Sequence, residues 1–282
     1  MEGAAARSSN QEAGHPPIGR RVITFAVRIL KQYTVPAAFG ALFILLWQWE
    51  WFHTLLNIKV HQLPLPTSIW KALSSNIDVL ARHAGYTVAE ALLGMLAGSL
   101  IGFAVALLAT QWPRWGSTGL IFIAALNAVP IIALAPIMNL WFGDGLGSRV
   151  AVVTITTMAA MAFNAHRGLT QIDPLALDLM HSYGARKSEV FRYVRLPNCL
   201  PYLFTALKIN ATASMIGAIV SEFFYSSGGI GYLLSNSIKV AKMSMGWACI
   251  VVASAVGVIL YILIEEIEKL AIRWHSSRKT ST

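Results

Sequence analysis

Six runs of about 20 mostly apolar residues divide this chain, at roughly 34–53, 86–110, 117–139, 149–165, 201–224 and 245–267. A bilayer core offers no water to satisfy backbone N–H and C=O groups, so runs of this length point to spanning helices. The rest of the composition agrees. Apolar residues make up 56% of the chain and charged residues 12%, where a soluble domain carries about 25% charged residues. These features predict an all-α membrane protein with six transmembrane helices. The net charge of +9 follows from basic residues gathering in loops on one side, and no aromatic-interleaved basic patch suggests nucleic acid.

Orientation follows from Lys and Arg. With the N-terminus inside, only Lys59, Lys71, Arg82, Arg149, Lys239 and Lys242 of the 22 fall outside. Both termini are thus expected in the cytoplasm, with residues 1–19 a disordered Ala/Ser/Gly/Pro-rich segment, 20–272 the membrane domain and 273–282 a tail. No signal sequence fits the first 30 residues.

Individual spans carry their own marks. Trp47, Trp49 and Trp51 close the first, at an interface. Pro64 and Pro66 start a short helix before the second. Gly94, Gly98 and Gly102 lie four apart in the second and let another helix come close. Glu90, near its start, is expected at the interface. The third span contains Pro130 and Pro136 flanked by Asn127 and Asn139. Such a broken helix either lines a path or is a kink in the bundle. The fifth is the most polar, with Lys208, Asn210, Thr212, Ser214 and Glu222. Lys208 can snorkel to the cytoplasmic side. Glu222 either sits at the outer interface or pairs within the bundle at the outer end of a path. Cys199 and Cys249 suit neither a disulfide nor a metal and are expected to pack.

One polar stretch, 173–200, breaks the apolar pattern and carries Arg186, Lys187, Arg192 and Arg195. Asp173 and Pro174 are a helix start, and Gly184 is a left-handed stop. Ser188 is expected to cap a second helix and Pro197 to end it. Leu175, Leu179 and Met180 fall on one face of the first helix. Val190, Phe191 and Val194 fall on one face of the second. Two amphipathic helices between membrane spans need an apolar partner, so the stretch reads as a docking surface for another protein. No Walker A pattern, zinc pattern or Gly-x-Ser-x-Gly elbow is present. The chain is expected to move something and not to transform it, with any ATP hydrolysis on a partner.

The stretch resembles the cytoplasmic EAA loop of ABC importer permeases, in which Glu-Ala-Ala is followed at fixed spacing by Gly-Ala, Phe and Pro. Gly184, Ala185, Phe191 and Pro197 match, and Asp178 stands at the Glu position. Leu179 and Met180 depart from the two Ala. Further similarity lies in LPLPTS at 63–68, Ala-Leu-Ala-Pro at 133–136 with Trp141-Phe-Gly, and Ile219-Val-x-Glu222-Phe-Phe with Gly229-Ile-Gly-Tyr-Leu. These resemble the nitrate/taurine/sulfonate branch. DLMHSYGA at 178–185 and Arg273-Trp-His-Ser are similar to permeases assigned to pyrimidine thiamine precursors or riboflavin.

The resemblance implies a type I importer fold in a bacterial inner membrane, with 173–200 as the coupling segment. It implies an ABC ATPase subunit that carries ATP and Mg, a second permease copy forming a homodimer, and an extracytoplasmic solute-binding protein, with no cofactor on this chain. Asp178, Gly184, Ala185, Phe191 and Pro197 would couple to the ATPase. Asn127, Pro130, Pro136, Asn139, Asn210, Thr212, Ser214 and Glu222 are candidates for the translocation path. An ion-gradient-driven secondary transporter is the alternative. It would need a well-placed intramembrane carboxylate and commonly an internal repeat, and Glu90 and Glu222 lie near span ends.

Overall fold

The computed structural model describes residues 34–272; the expected disordered start and the tail with Arg273 lie outside them. The described residues contain helices and no strands. They belong to two compact units, meeting in sequence at Pro66 and Thr67.

In the first unit, α1 (Thr34–Gln48) is 15 residues long, about 22 Å at 1.5 Å per residue, short of a bilayer core of about 30 Å. The expected single helix over 34–53 is interrupted because Glu50 takes a left-handed conformation (φ 61) that a right-handed helix cannot pass through. A short α2 (Trp51–Leu56) follows. The His53 ring Nε2 lies 2.7 Å from the Leu63 carbonyl and folds the segment back on itself.

The second unit holds the bundle. Helix α3 (Pro66–Ser75) opens at Pro66, as the Leu-Pro-Leu-Pro signal predicts. Helix α4 (Ile77–Gln111) is 35 residues long and begins nine residues before the expected 86. Residues 77–85 contain no breaker beyond a single glycine, and Asp78 favours the positive end of the helix dipole, so the helix extends past the apolar run. Helix α7 (Leu146–Thr170) likewise outruns its expected 149–165 at both ends. The interface between α4 and α7 is the most extensive in the bundle. Gly94, Gly98 and Gly102 lie directly on it, and a Cβ at each would run into Val153, Thr157 or the Met158 carbonyl. Backbones this close replace the hydrophobic drive that lipid cannot provide.

The third span is two helices, α5 (Pro113–Asn127) and α6 (Ile131–Phe142), bent by 100°. Pro130 caps α6 without an N–H to continue the ladder, and Val129 before it is pushed out of helical geometry. Pro136 sits inside α6 without ending it. Ile123 of α5 packs on Met158 and Ala162, and Ala135 and Met138 of α6 pack on Val152, so both halves lean on α7.

After the 173–200 segment come α10 (Leu196–Phe224), the amphipathic α11 (Ile230–Lys239) and α12 (Met243–Ala271). Four helical stretches are long and apolar enough to cross a membrane, five if the bent pair counts as one, against the six expected. The difference lies in the first run, whose described helix is too short by itself.

Candidate functional site

Segment 173–200 is built by local signals up to its middle. The Asp173 carboxylate accepts the Leu175 N–H at 3.0 Å, and Pro174 opens α8 (Pro174–Ser182). Gly184 takes φ +65, which lets the Ala185 N–H reach back to the Met180 carbonyl at 3.0 Å. No residue of α8 is buried. Leu175, Leu179 and Tyr183 are 75%, 56% and 78% exposed, and Met180 is half-buried. Asp178 and Gly184 are exposed, and Ala185 is half-buried.

The second half differs from expectation in three ways. Helix α9 (Lys187–Val190) starts one residue before Ser188, and its first turn is closed by Glu189, whose carboxylate accepts the Arg186 N–H at 2.6 Å. Pro197 does not end the helix. A π-helical turn, Phe191–Arg195, carries α9 straight into α10, so that 187–224 is one helical stretch. The wider turn, with the Leu196 N–H bonded to the Phe191 carbonyl, makes room for the proline ring and its missing donor. Thirdly, Phe191 is half-buried, with one side against the bundle. It packs against Ala106, Ala165, Leu169 and Cys199, with Val190 buried beside it. Polar bonds fix the same junction. Arg195 Nη1 donates to the Leu169 carbonyl at 2.9 Å, and Asn198 Nδ2 donates to the carbonyls of Gly168 (2.7 Å) and Gln171 (2.9 Å), closing the C-terminal end of α7. The segment thus offers one uncovered apolar helix, α8, held on a junction packed into the bundle.

The residues singled out as path candidates are not gathered into one place. Asn127 and Pro130 are exposed at the α5–α6 break; Pro136 and Asn139 are half-buried on α6. Asn210 and Ser214 are fully buried on the side of α10 that faces the chain's own core. Asn210 Nδ2 donates to Ser99 Oγ of α4 at 3.1 Å, and the Ser214 hydroxyl donates to the Ala211 carbonyl at 3.0 Å. Thr212 points the other way, into an apolar groove between α10 and α12.

Glu222 is fully buried and bonded within the bundle, the second of its two expected placements, and is not at the outer interface. Its carboxylate accepts the Thr87 hydroxyl at 2.7 Å and the Gly231 N–H at 2.7 Å. Thr87 Oγ1 in turn accepts the Ile230 N–H at 2.9 Å, and His83 Nδ1 accepts the Gly229 N–H at 3.1 Å. Three successive N–H groups at the start of α11 are therefore bonded by side chains of α4 and α10. Gly229 (φ +94) lies against the Glu222 carboxylate, where a Cβ has no room.

Three ion pairs escaped the sequence reading. Glu90 is buried, not interfacial, and accepts Arg149 Nη1 at 2.9 Å, while Arg149 Nη2 reaches Asp144 at 2.9 Å. Lys208 reaches toward the end of α12, where its Nζ meets Glu268 at 2.7 Å. Partners 59 and 60 residues apart leave no spacing signal. The usable clue was that each charge lay inside or beside an apolar run and needed a counter-charge.

The described geometry matches that of known transporters. A chain of the inward-facing MetNI methionine ABC transporter superposes with a TM-score of 0.58 at 18% identity, covering 70% of this chain and 97% of that one. The riboflavin transport system permease protein RibX of Chloroflexus aurantiacus is 29% identical over 259 residues, 89% of this chain and 95% of its own. The formylaminopyrimidine transport permease protein ThiX of Halalkalibacterium halodurans is 27% identical over 217 residues, 77% and 87% respectively. The sequence pattern of the binding-protein-dependent transport system inner membrane components covers residues 94–272, from the glycine stripe of α4 to the end of α12, and the chain belongs to that family of ABC transporter permeases.

Proposed function

We propose that this chain is the membrane subunit of an ATP-driven importer and that α8 is where an ABC ATPase subunit docks. The observation that carries the reading is the contrast within 173–200. Val190 is buried and Phe191 half-buried against the chain's own core, whereas Leu175 and Leu179 of α8, and Tyr183 just after it, are exposed. An apolar helix face on a loop outside the bundle favours burial against a partner. Similarity to permeases for riboflavin and formylaminopyrimidine supports a small polar solute of the vitamin-precursor type, delivered by an external solute-binding protein. In this reading residues 20–272 form the permease domain, with both termini cytoplasmic, and two copies form the pore. ATP and Mg reside on the ATPase. Closure of the ATPase pair would push α8, and the junction at Arg195 and Asn198 would pass the push to α7 and α10.

The test is co-expression with a cognate ATPase and solute-binding protein. The ATPase is expected to copurify, and uptake into vesicles to require ATP. Leu175→Asp with Leu179→Asp is expected to remove the ATPase from the purified complex while the chain still inserts. Uptake without ATP that follows an ion gradient would overturn the reading.

A further inference from the structure

Between the end of α4 and the 173–200 segment lies a cavity of about 650 Å³. Its basic groups come from three turns of chain: His181 from α8, Lys187 from the start of α9 and Arg195 from the π-turn. Ser188 adds a hydroxyl to the lining, the Thr110 hydroxyl is bonded to the Ala106 carbonyl at 2.9 Å, and no carboxylate is among the lining residues. The nearest acid in sequence, Glu189, is turned back onto the Arg186 N–H. The bond from Arg195 to the Leu169 carbonyl fixes its guanidinium and uses one of its five N–H donors. The floor, Val190 and Phe191, is apolar.

The depth of the cavity adds a second constraint. Trp112, directly after the last residue of α4, and Trp115, in the first turn of α5, are 60% and 83% exposed. Exposed tryptophans of this kind sit where headgroups meet hydrocarbon.

We infer that the cavity binds a phosphate group, that of an anionic phospholipid headgroup. Lys187, Arg195 and His181 surround the phosphate, the Ser188 hydroxyl donates to its oxygens, and the glycerol ester region lies on Val190 and Phe191. The bound lipid bridges α4 and the segment that carries α8, so the anionic lipid content of the membrane would bear on how firmly that segment is held. Free phosphate shares the headgroup's chemistry, and the experiment separates the two. The inference does not depend on which solute is carried.

The full chain in detergent is titrated by native mass spectrometry with dioctanoyl phosphatidylglycerol, with dioctanoyl phosphatidylcholine, and separately with inorganic phosphate. Phosphatidylglycerol is expected to be retained over phosphatidylcholine. Its retention is expected to fall about five-fold in Lys187→Gln, the change one basic residue makes beside an anionic headgroup, and further in Lys187→Glu. Lys187 is exposed, so both variants should elute as the parent does. Binding of inorganic phosphate alone, weakened in the same variants, would support the site and assign it to a soluble phosphate. Equal retention of the two lipids without phosphate binding, or retention unchanged in Lys187→Glu, would overturn the inference.

Discussion

Glu222 shows how a buried carboxyl group can hold the chain's own backbone in position. A carboxylate within a span is a functional candidate by default. Here both oxygens are used, one by Thr87 and one by the Gly231 N–H, and Thr87 holds the next N–H along. The first N–H groups of a helix have no partner in that helix, and α11 has side chains of two others supply them. Removing the acceptor leaves a buried donor unmet, at about 1–3 kcal/mol. Glu222→Ala and Thr87→Val are each expected to lower the melting temperature and to expose the 225–229 loop to external protease, with the double variant little worse than either single. Fully additive losses in the pair would mean the two residues act separately. The same logic applies to Glu90 and Arg149, where losing one partner leaves a buried charge uncompensated. The Asn210–Ser99 bond contributes less, since interhelical side-chain bonds in membranes average about 0.6 kcal/mol. The glycine stripe therefore outweighs it in holding α4 to its neighbours.

At the scale of elements, the junction between α7 and α10 decides what 173–200 can transmit. A flexible linker would absorb displacement of α8. The Arg195 and Asn198 bonds to the end of α7 and the π-turn into α10 make the segment continuous with two spans. Phe191 belongs to this junction, so Phe191→Asp, which puts a carboxylate among Ala106, Leu169 and Cys199, is expected to reduce the yield of folded chain by more than about 2 kcal/mol of lost stability would explain at an exposed site. A variant that folds normally but merely loses the ATPase would return Phe191 to the docking face. The contrast marks where the sequence was legible. Asp173, Pro174 and Gly184 act on neighbours within a few residues, so their pattern announces α8. The glycines at 94, 98 and 102 announce a close packing partner without saying which helix. Pro197 misleads, because a widened turn upstream accommodates it. Amphipathic spacing puts Val190 and Phe191 on one face without saying whether the chain itself or a partner covers that face. Lys208–Glu268 and Glu90–Arg149 are set by the tertiary arrangement and leave no local trace.

For the molecule as a whole, the distribution of Lys and Arg and the placement of α8 and α11 make a joint claim. Between α8 and α11 the one helix long and apolar enough to cross is α10, and a crossing by it would put the two elements on opposite sides of the membrane. In the proposed orientation the α8 side is cytoplasmic, with Arg186, Lys187, Arg192 and Arg195 in a single loop. Both native cysteines are fully buried, which keeps background labelling low. Ser188 and Tyr225 are exposed and lie at the two ends of the α9–α10 stretch. In intact cells an impermeant maleimide is expected to label Tyr225→Cys from outside and to leave Ser188→Cys untouched until the membrane is opened. The reverse pattern would turn the chain over and place α8 where no ATP is available. Labelling of both from one side would mean that α10 does not cross, and with it the continuous stretch from docking helix to outer loop would lose its role as a lever across the bilayer.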